Sequence, residues 1–376
     1  MLLNERIRGL GRGPLLFWSI LVEGRYDFIY DQMPLSVRGM SARKRINLLR
    51  AGLNLVWRRS RPWSYPLHMQ FELANFCQLR CPACPTGSGE LNRKPAAMDP
   101  RLFEQVMEEV GPFLLTASLW GWGESLLHPR LGEFLSIAAR YPVVTMLSTN
   151  GQNLNQERVI QAICNAPPTY LIVAVEGLDD ETHASFRHGA RLTPLLEGVR
   201  RIAEIKRQRG MRLPVLHLRF IVLKSNQHQV PMVRDFALAN GFEMFSLRRL
   251  SIYSSGHGAE VASALRIRIQ EREPPQDRFI CMQPFWFPSV CADGSLVLCE
   301  QDFNAEAALG RIERGVDFKN LWWSTTAARL RRRLLRNPES FSFCSHCPEL
   351  ERRTTDVSFH AEFLVPWLEK PLVVTS

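Results

Sequence analysis

Three cysteines in the first third of the chain have a spacing that suits metal chemistry. Cys77, Cys81 and Cys84 lie within eight residues at C-x3-C-x2-C spacing, directly after the strand-like run 67–73. Three thiolates in one short loop can bind three irons of a cubane iron–sulfur cluster. The next cysteine is Cys164, so the fourth iron has no cysteine ligand nearby and can bind a substrate or a cofactor.

A zinc site, or cysteines that only pack in the core, is the main alternative for this loop. Structural zinc sites use four ligands, commonly arranged as two pairs of residues. The three cysteines between residues 77 and 84 fit that pattern poorly. The spacing therefore favours an iron–sulfur cluster over zinc.

A second group of cysteines lies towards the C-terminal end. Cys281 and Cys299 delimit a C-x12-G-x4-C pattern, which predicts a β-hairpin that turns near Gly294. Cys344 and Cys347 form a C-x2-C pair further along the chain. Four thiolates in two groups can bind every iron of one cubane cluster, and the same spacing suits a structural zinc ion equally well.

Two cysteines stand apart from these groups. We predict that Cys164 and Cys291 are small buried residues, because free cysteine is among the most buried residue types. Cys291, inside the predicted hairpin, is an alternative to Cys281 as a ligand. Most of the nine cysteines lie at metal-ligand spacings, which indicates a reducing cytoplasm rather than a disulfide framework.

Strand-like and helix-like segments alternate through the middle of the chain. The strand-like runs are 67–73, 115–120, 143–148, 170–175, 215–223 and 243–248, and the helix-like runs are 100–110, 130–140, 155–165, 195–209 and 229–240. Such alternation predicts a parallel sheet with crossover helices. Six βα units are too few to close an eight-stranded barrel, so we expect an α/β fold with a partial (β/α)6 TIM-like barrel. Reactive groups in such barrels come from the C-terminal ends of the strands.

The C-x3-C-x2-C loop after a first strand resembles the cluster loop of the radical SAM superfamily. This resemblance implies that Cys77, Cys81 and Cys84 bind a [4Fe–4S] cluster whose open iron chelates S-adenosylmethionine (SAM). One electron from the cluster then cleaves SAM to methionine and a 5′-deoxyadenosyl radical. The open (β/α)6 barrel is implied as well. Ala83 departs from the family pattern, because many members carry a larger side chain there, beside the adenine.

Two motifs at predicted strand ends extend the resemblance to the SAM site. The tetrapeptide Trp-Gly-Glu-Ser resembles the family's Gly-Gly-Glu-Pro motif, which implies that the backbone at Trp122 and Gly123 and the Glu124 carboxylate receive the SAM ammonium group. The tetrapeptide Ser-Thr-Asn-Gly is similar to a Thr-Asn-Gly signature. It implies that Ser148 contacts the ribose or carboxylate of SAM and that Asn150 shapes the strand end. A plain Asn-Gly turn is the alternative.

A third stretch resembles the family's Ser-x-Asp-Gly…His…Arg pattern. Glu176 stands in the place of the Asp, and Ala174 lacks the hydroxyl group of the Ser. By resemblance, Arg187 binds the SAM carboxylate, for which a forked guanidinium group is suited. A surface salt bridge is the alternative for Arg187. The sequence Lys-Ser-Asn at 224–226 matches a common Lys-x-Asn loop that faces the site.

The segment 281–350 resembles the SPASM/twitch domain of radical SAM enzymes, in its form with a single cluster. The resemblance implies that Cys281, Cys299, Cys344 and Cys347 bind an auxiliary [4Fe–4S] cluster. It also implies an α/β protein with a small C-terminal domain made of a β-hairpin and a helix.

The implied reaction is hydrogen abstraction from an unactivated C–H bond inside the barrel. The auxiliary cluster then accepts the remaining electron or helps to seat the substrate, so we expect net oxidation or rearrangement of a small-molecule or lipid-linked substrate. Glu300 and Asp302 follow Cys299 and are the candidate proton acceptors. Acids that cap a loop turn are an equally weighted alternative. The implied partner is a one-electron reductant such as flavodoxin or ferredoxin.

Two other functions remain open at this stage. Maturation of a ribosomal peptide is one, although residues 1–66 are too few for the peptide-recognition domain of some radical SAM maturases. A non-enzymatic, zinc-stabilised nucleic-acid-binding module is the other. It would explain the net charge of +10 and the Cys344/Cys347 pair, but it leaves the strand-end motifs unexplained.

The predicted division of the chain is a helical N-terminal extension at 1–66, the barrel at 67–250, a connector at 251–280, the cluster domain at 281–350 and a tail at 351–376. The extension is expected to hold helices at 15–30 and 41–57. The second helix is basic and amphipathic; such a helix lies on a membrane surface or, as we favour here, packs on its own domain. No run of 18 apolar residues occurs. We therefore expect a cytoplasmic protein, with peripheral membrane contact as an alternative.

Overall fold

The computed structural model describes residues 13–251, 281–345, 347, 357–368 and 372–375. The connector predicted at 251–280 therefore lies almost entirely outside the described residues. The strands are β1 Tyr26–Tyr30, β2 Met33–Arg38, β3 His68–Phe71, β4 Thr116–Ser118, β5 Val144–Thr149, β6 Tyr170–Ala174, β7 Val215–Ile221, β8 Met244–Arg248, β9 Ser289–Val290, β10 Ser295–Val297, β11 Gly310–Arg311, β12 Ser358–Phe363 and β13 Leu372–Thr375. The helices are α1 Gly13–Trp18, α2 Ala42–Trp57, α3 Pro85–Ser88, α4 Pro100–Val110, α5 Leu131–Ala138, α6 Glu157–Asn165, α7 Asp180–Phe186, α8 Leu192–Arg209, α9 Val233–Ala239, α10 Gln283–Trp286, α11 Phe318–Trp322, α12 Thr325–Arg336 and α13 Ser342–Ser345.

Strands β3 to β8 are parallel and lie side by side in sequence order. The α/β class and the six-unit partial barrel predicted from the sequence are confirmed. One face of the sheet packs against the crossover helices in a continuous apolar core that includes Phe103, Phe134, Leu171 and Val199. Side chains at alternate strand positions point to the opposite face, which is the inside of the barrel.

Local sequence signals explain where several helices begin. The Asp99 carboxylate accepts a hydrogen bond from the Arg101 backbone N–H at 3.0 Å, and Pro100 follows at the first helical position of α4. The Asp179 carboxylate caps α7 in the same way, accepting from the Thr182 N–H at 2.7 Å. Such caps satisfy backbone donors that a helix N-terminus leaves unpaired, and they fix the strand-to-helix loops that carry the site.

The N-terminal extension corrects one prediction. Residues 15–30 were expected to form a helix, but the helical turns end at Glu23 and Tyr26–Tyr30 is a strand that pairs with β2. The two strands join through Asp31 and Gln32, whose φ angles of 47° and 68° are those of a tight hairpin turn. The description of residues 1–66 as helical is therefore wrong for this hairpin. The predicted second helix is confirmed as α2.

The β1–β2 hairpin packs inside the barrel. Met33 and Leu35 of β2 are fully buried against the inward-facing side chains of Met146, Tyr170 and Val215. Long-range packing of this kind overrides a local helical pattern, because each strand buries one apolar face. The extension is therefore part of the barrel interior rather than an appendage.

The C-terminal segments extend the barrel sheet at both edges. Strand β9 pairs in parallel with β3 and continues through β10 to β11, while β12 pairs antiparallel with β8. Strand β13 pairs in parallel with β2 of the hairpin. The predicted tail at 351–376 therefore contains two strands. Among the described helices, none is both long and apolar enough to cross a membrane.

Three buried histidines and the half-buried His68 make stability depend on pH. Burial lowers the pKa of His68 and of His183 to about 4, lowers that of His128, and lowers that of His217 well below its usual value. The unfolded chain, with histidine pKa values near 6.5, therefore binds more protons at acid pH. We expect the contribution of these histidines to the free energy of unfolding, measured by urea titration, to be constant above about pH 7 and to fall progressively towards about pH 4.

A matched pair of variants tests this dependence. His217→Gln removes a buried titrating ring but keeps a hydrogen-bonding group beside Ser246, and it should reduce the slope of stability against pH. His188→Gln changes an exposed histidine and should leave the slope as in the unchanged protein. Equal slopes for all three proteins would contradict the assignment.

Candidate active site

The cysteine loop after β3 brings its three thiols to one end of the barrel. Cys81 is buried, and Cys77 and Cys84 are partly exposed. The backbone N–H of Leu79 donates to Cys77 Sγ at 3.4 Å, and the N–H of Cys84 donates to the carbonyl oxygen of Cys81 at 3.2 Å. Burial raises the pKa of the Cys77 thiol to about 12 and also raises that of Cys81. Binding to a metal would therefore have to displace their protons.

Two glycines allow the close backbone contacts that hold this loop. A Cβ at Gly87 would lie 2.4 Å from the carbonyl oxygen of Cys81, and a Cβ at Gly123 would lie 2.3 Å from that of Ala74. Any other residue at either position would push the loop away from its neighbours. Gly123, predicted to bind SAM, thus also fixes the position of the cysteine loop.

The Glu124 carboxylate joins the ends of β4 and β5. It accepts hydrogen bonds from the Thr149 hydroxyl at 2.7 Å, the Asn150 backbone N–H at 2.8 Å and the Leu126 N–H at 3.0 Å. Burial raises its pKa. A carboxylate has about four lone-pair positions, so one remains for a further donor such as the ammonium group predicted from the sequence.

Asn150 connects the same strand end to the cysteine loop. Its side-chain N–H donates to Cys77 Sγ at 3.4 Å, and its side-chain oxygen accepts from the Gln152 N–H at 3.0 Å. Hydrogen bonds to thiolate sulfurs help to set the reduction potential of a bound cluster. Ser148 lies in β5, half-buried, on the inward-facing side of the strand together with Met146.

Glu176 and Arg187 form a buried ion pair beside the cysteine loop. The Arg187 side chain donates to both carboxylate oxygens of Glu176, and its Nη1 lies 3.9 Å from Cys81 Sγ. Asn226, from the predicted Lys-x-Asn loop, donates to the Glu176 carbonyl oxygen at 2.9 Å and to the Ile221 carbonyl oxygen at 2.8 Å. Asn226 therefore ties the end of β7 to the end of β6. The surface alternative for Arg187 is wrong, because its side chain is only 15% exposed.

Trp122 replaces a glycine of the family motif and links the two cysteine regions. Its indole N–H donates to the Glu300 carbonyl oxygen at 2.8 Å, and its ring contacts Phe303 with centroids 5.6 Å apart. Its own carbonyl oxygen accepts from the Thr86 hydroxyl, next to the cysteine loop. The departure from the family pattern thus adds a contact between the barrel and the C-terminal segment.

Glu72 and Arg93 are buried residues that sequence reasoning missed. The Arg93 guanidinium donates to both Glu72 carboxylate oxygens at 2.7 Å and to the Phe303 carbonyl oxygen at 2.6 Å. Glu72 also accepts from the Ala292 N–H at 2.9 Å. The pair therefore anchors the predicted hairpin to the barrel. No sequence motif marks either residue, since they are 21 residues apart in unrelated segments.

The C-terminal cysteines line one cavity. Cys281, Cys299, Cys344 and Cys347 face it together with the apolar residues Pro284, Phe285, Leu334, Leu335, Pro338 and Phe343. The backbone N–H of Cys347 donates to the Cys344 carbonyl oxygen at 3.1 Å, so the C-x2-C pair forms a turn. Cys291 does not line this cavity; it is buried at the hairpin turn near Glu72 and Asp293, and Cys164 is a buried residue of α6.

The two candidate proton acceptors have different surroundings. Asp302 accepts from the Glu306 N–H at 2.7 Å and from the Ala307 N–H at 2.9 Å, and burial raises its pKa to about 6. This is the turn-capping arrangement named as the alternative. Glu300 lies near Arg219 and Arg248 inside the barrel; burial raises its pKa, and the two arginines oppose that rise.

A charged cluster inside the barrel was not anticipated. Asp31, at the tip of the β1–β2 hairpin, pairs with Arg219 of β7 at 3.1 Å and with Arg248 of β8 at 3.8 Å. These residues and Glu300 are here called the barrel ion cluster. Tyr30 adjoins it, and burial raises the pKa of that phenol above its usual range. The cluster lies at the C-terminal ends of β7 and β8, where barrel enzymes carry reactive groups.

The donor sets fit the groups that the sequence predicts. The three thiols of the loop share an end of the barrel with the carboxylates and amide at the ends of β4, β5 and β6. Among the described residues, no three Cys, His, Asp or Glu side chains converge on a single metal ion. A cubane cluster distributes its thiolates over separate irons, so this arrangement is compatible with it.

Comparison with known proteins identifies the domain. Residues 71–237 match the sequence model of the Radical SAM superfamily. The chain contains a radical SAM domain. Members of this superfamily use a [4Fe–4S] cluster and SAM, and residues 71–237 include the cysteine loop and the strand-end motifs described above.

The chain is also similar to curated proteins in sequence and to a solved structure in fold. The chain is 29% identical over 178 residues to the PqqA peptide cyclase of Gluconobacter oxydans, covering 47% of this chain and 46% of that protein. It is 25% identical over 189 residues to the pre-heme d1 synthase of Dinoroseobacter shibae, covering 50% of this chain and 44% of that protein. The crystal structure of Streptococcus suis SuiB bound to S-adenosylmethionine superposes with a TM-score of 0.58 at 16% identity, over 82% of this chain and 76% of SuiB. The chain thus spans about half the length of these curated relatives, and the match to SuiB concerns the fold.

Proposed function

We propose that the protein is a radical SAM enzyme in which the Cys77, Cys81 and Cys84 thiolates hold the [4Fe–4S] cluster. One observation carries this proposal: Asn150, directly after β5, and Arg187, at the C-terminal end of α7, reach the sulfurs of Cys77 and Cys81. Bound together, the cluster and SAM supply a 5′-deoxyadenosyl radical that abstracts hydrogen from an unactivated C–H bond. A one-electron donor such as flavodoxin or ferredoxin, and hence a cytoplasmic location, belong to this proposal.

Residues at the strand ends would orient SAM. Glu124 has one lone-pair position left for the ammonium group. By the family resemblance, the backbone at Trp122 and Gly123 would contact the same group, although the Trp122 carbonyl oxygen also accepts from the Thr86 hydroxyl. Arg187 is held by Glu176 with its guanidinium beside Cys81, which suits binding of the SAM carboxylate. Ser148 of β5 faces the barrel interior, where the ribose would lie.

The C-terminal segment would support net oxidation. Cys281, Cys299, Cys344 and Cys347 share one cavity, which suits a fully ligated auxiliary [4Fe–4S] cluster of the twitch type. An auxiliary cluster bound there would supply an electron acceptor for a net oxidation, and Glu300 would accept the proton of the substrate. Glu300 is the preferred candidate because it follows Cys299 and belongs to the barrel ion cluster, whereas the Asp302 carboxylate is occupied as a turn cap.

We propose that the substrate is a small molecule or a lipid-linked head group. Among the described residues, the β1–β2 hairpin fills the N-terminal part of the barrel, and we therefore place the reacting atom at the other end, near the barrel ion cluster. Maturation of a ribosomal peptide is the second candidate, because a relative at 29% identity is a peptide cyclase. The superfamily match argues against the zinc-stabilised nucleic-acid-binding module.

Cleavage of SAM tests the proposal directly. After anaerobic reconstitution with iron and sulfide, we expect a brown protein that converts SAM to 5′-deoxyadenosine and methionine in the presence of a low-potential one-electron reductant. The product is quantified by liquid chromatography and mass spectrometry, with unreduced protein as the control. A colourless protein, or an iron–sulfur protein that forms no 5′-deoxyadenosine under reduction, would contradict it.

A further inference from the structure

Helix α2 has a mixed buried face and an apolar exposed face. Leu48 and Ala51 are buried in a small core, so the helix packs on its own domain as the sequence favoured. The same buried face carries three polar residues: Lys44, Asn47 and Asn54. The exposed face carries apolar residues: Ile46 is 47% exposed, Leu53 42%, Val56 68% and Trp57 58%.

Hydrogen bonds hold the helix in this orientation. Lys44 Nζ donates to the Pro142 carbonyl oxygen at 2.6 Å, and Asn47 accepts from the Tyr65 N–H at 2.8 Å. The Asn54 side chain accepts from the Trp63 N–H at 3.1 Å and donates to the Ser64 hydroxyl at 2.9 Å. Rotating the apolar face inward would break these bonds and leave buried polar groups unpaired. The exposed apolar face is therefore a fixed property of the fold.

Helix α1 and the turn after it add to this apolar surface. Their exposed side chains are Leu15, Leu16, Phe17, Trp18 and Val22. Arg45 of α2 donates to the Leu21 carbonyl oxygen at 2.7 Å, and Ile20 packs in the same small core as Leu48. The two helices therefore lie side by side, and their exposed apolar residues are here called the N-terminal apolar surface.

Positive charge borders the N-terminal apolar surface. Residues 41–66 contain six arginines and one lysine, and no Asp or Glu. Arg43 and Arg50 are exposed and lie on α2 at helical spacings from Ile46 and Trp57. Beyond the helix, the Arg59 guanidinium lies 4.4 Å from the ring centroid of Trp63, which contacts Trp57.

We propose that this surface docks the protein onto an anionic lipid bilayer. Exposed apolar patches of this kind mark interaction sites. Tryptophan favours the boundary between lipid and water, and arginines beside a membrane-facing helix attract anionic headgroups. The helix would lie in the plane of the interface with its apolar face buried. A protein partner would need an apolar groove bordered by acidic groups to fit this surface. An anionic bilayer supplies negative headgroups and an apolar interior over an area of any size. The proposal is independent of the reaction inside the barrel.

Vesicle sedimentation with the reconstituted full chain tests this docking. We expect the protein to sediment with vesicles of phosphatidylcholine and phosphatidylglycerol, and much less with phosphatidylcholine alone, with binding that weakens as salt is added. The variant Arg43→Gln/Arg50→Gln/Arg59→Gln should bind the anionic vesicles on the order of a hundredfold more weakly. A protein that remains in the supernatant with anionic vesicles, or that binds both vesicle types equally, would overturn the proposal.

Apolar variants separate docking from general surface effects. Ile46→Ser/Leu53→Ser/Trp57→Ser should lower vesicle binding by about tenfold or more, because burial of apolar area contributes to interfacial binding. The matched control Met232→Ser/Leu238→Ser changes exposed apolar residues outside this surface and should bind as the unchanged protein does. Iron content and circular dichroism check the fold of each variant.

A second copy of the chain is the competing occupant. Light scattering without vesicles distinguishes the two cases. A monomer whose vesicle binding is lost in the apolar variant supports the membrane proposal. A dimer that the apolar variant dissociates, together with vesicle binding that the variant retains, would overturn it in favour of self-association.

Discussion

In the variant Cys77→Ala/Cys81→Ala/Cys84→Ala, the iron bound per chain after anaerobic reconstitution should fall from about eight to about four. The loop supplies three thiolates at one end of the barrel, and the remaining four cysteines line a separate cavity. Removing the first set therefore should leave the auxiliary cluster in place. Formation of 5′-deoxyadenosine from SAM should disappear, because the radical chemistry requires the cluster with the open iron.

Single-cysteine variants provide the controls for this experiment. Cys164→Ala and Cys291→Ala remove buried thiols that do not line either cysteine site and should retain all of the iron. If the unchanged protein binds about four irons and the triple variant binds none, the C-terminal cysteines hold no cluster. The proposed net oxidation would then be withdrawn, whereas the proposed SAM chemistry of the unchanged protein would stand. Unchanged iron in the triple variant would show that the loop holds no cluster.

The barrel could be predicted because its signals are local. Strands such as β6, with the sequence Tyr-Leu-Ile-Val-Ala, are buried on both faces and appear as continuous apolar runs. The intervening helices carry one apolar face, and α4 and α7 also have side-chain N-caps. Parallel strands end at the same edge of a sheet, so motifs that followed three different strands could be expected to meet. Glu124, Asn150 and Arg187 do lie around the cysteine loop.

The interior of the barrel could not be predicted because its partners are remote in sequence. Asp31 and Arg219 are 188 residues apart, and no local pattern distinguishes either residue from a surface charge. The sequence of β1 permits a helix as readily as a strand until its packing partners in the barrel are known. Periodicity also predicts that α2 has an apolar face, but not which face is buried. That depends on Asn47 and Asn54 finding partners in the loop that follows.

The barrel ion cluster should contribute more to stability than any surface ion pair in the protein. In Asp31→Ala, Arg219 and Arg248 would lose the carboxylate that pairs with both of them, and Glu300 would be the remaining acid of the cluster, while Arg219 is only 7% exposed. Removing one member of a buried ion pair typically costs about 3–5 kcal/mol, because the remaining charge is left uncompensated. The Ser358 N–H would also lose an acceptor that now lies at 3.1 Å. Urea titration of the reconstituted protein should show this loss as a lower midpoint with an unchanged slope.

Comparison with an exposed pair and with a repacked variant shows whether uncompensated charge is the cause. Asp235→Ala removes a carboxylate from a solvent-exposed pair with Arg234 and should change the free energy of unfolding by only about 0–1 kcal/mol. Adding Arg219→Met to Asp31→Ala should restore part of the lost stability, because one buried charge is then gone. The two residues are not energetically coupled if Arg219→Met lowers the free energy of unfolding by the same amount in Asp31→Ala as it does in the unchanged protein. The position of the hairpin in the barrel would then depend on the packing of Met33 and Leu35 and on the pairing of β2 with β13 rather than on the ion cluster.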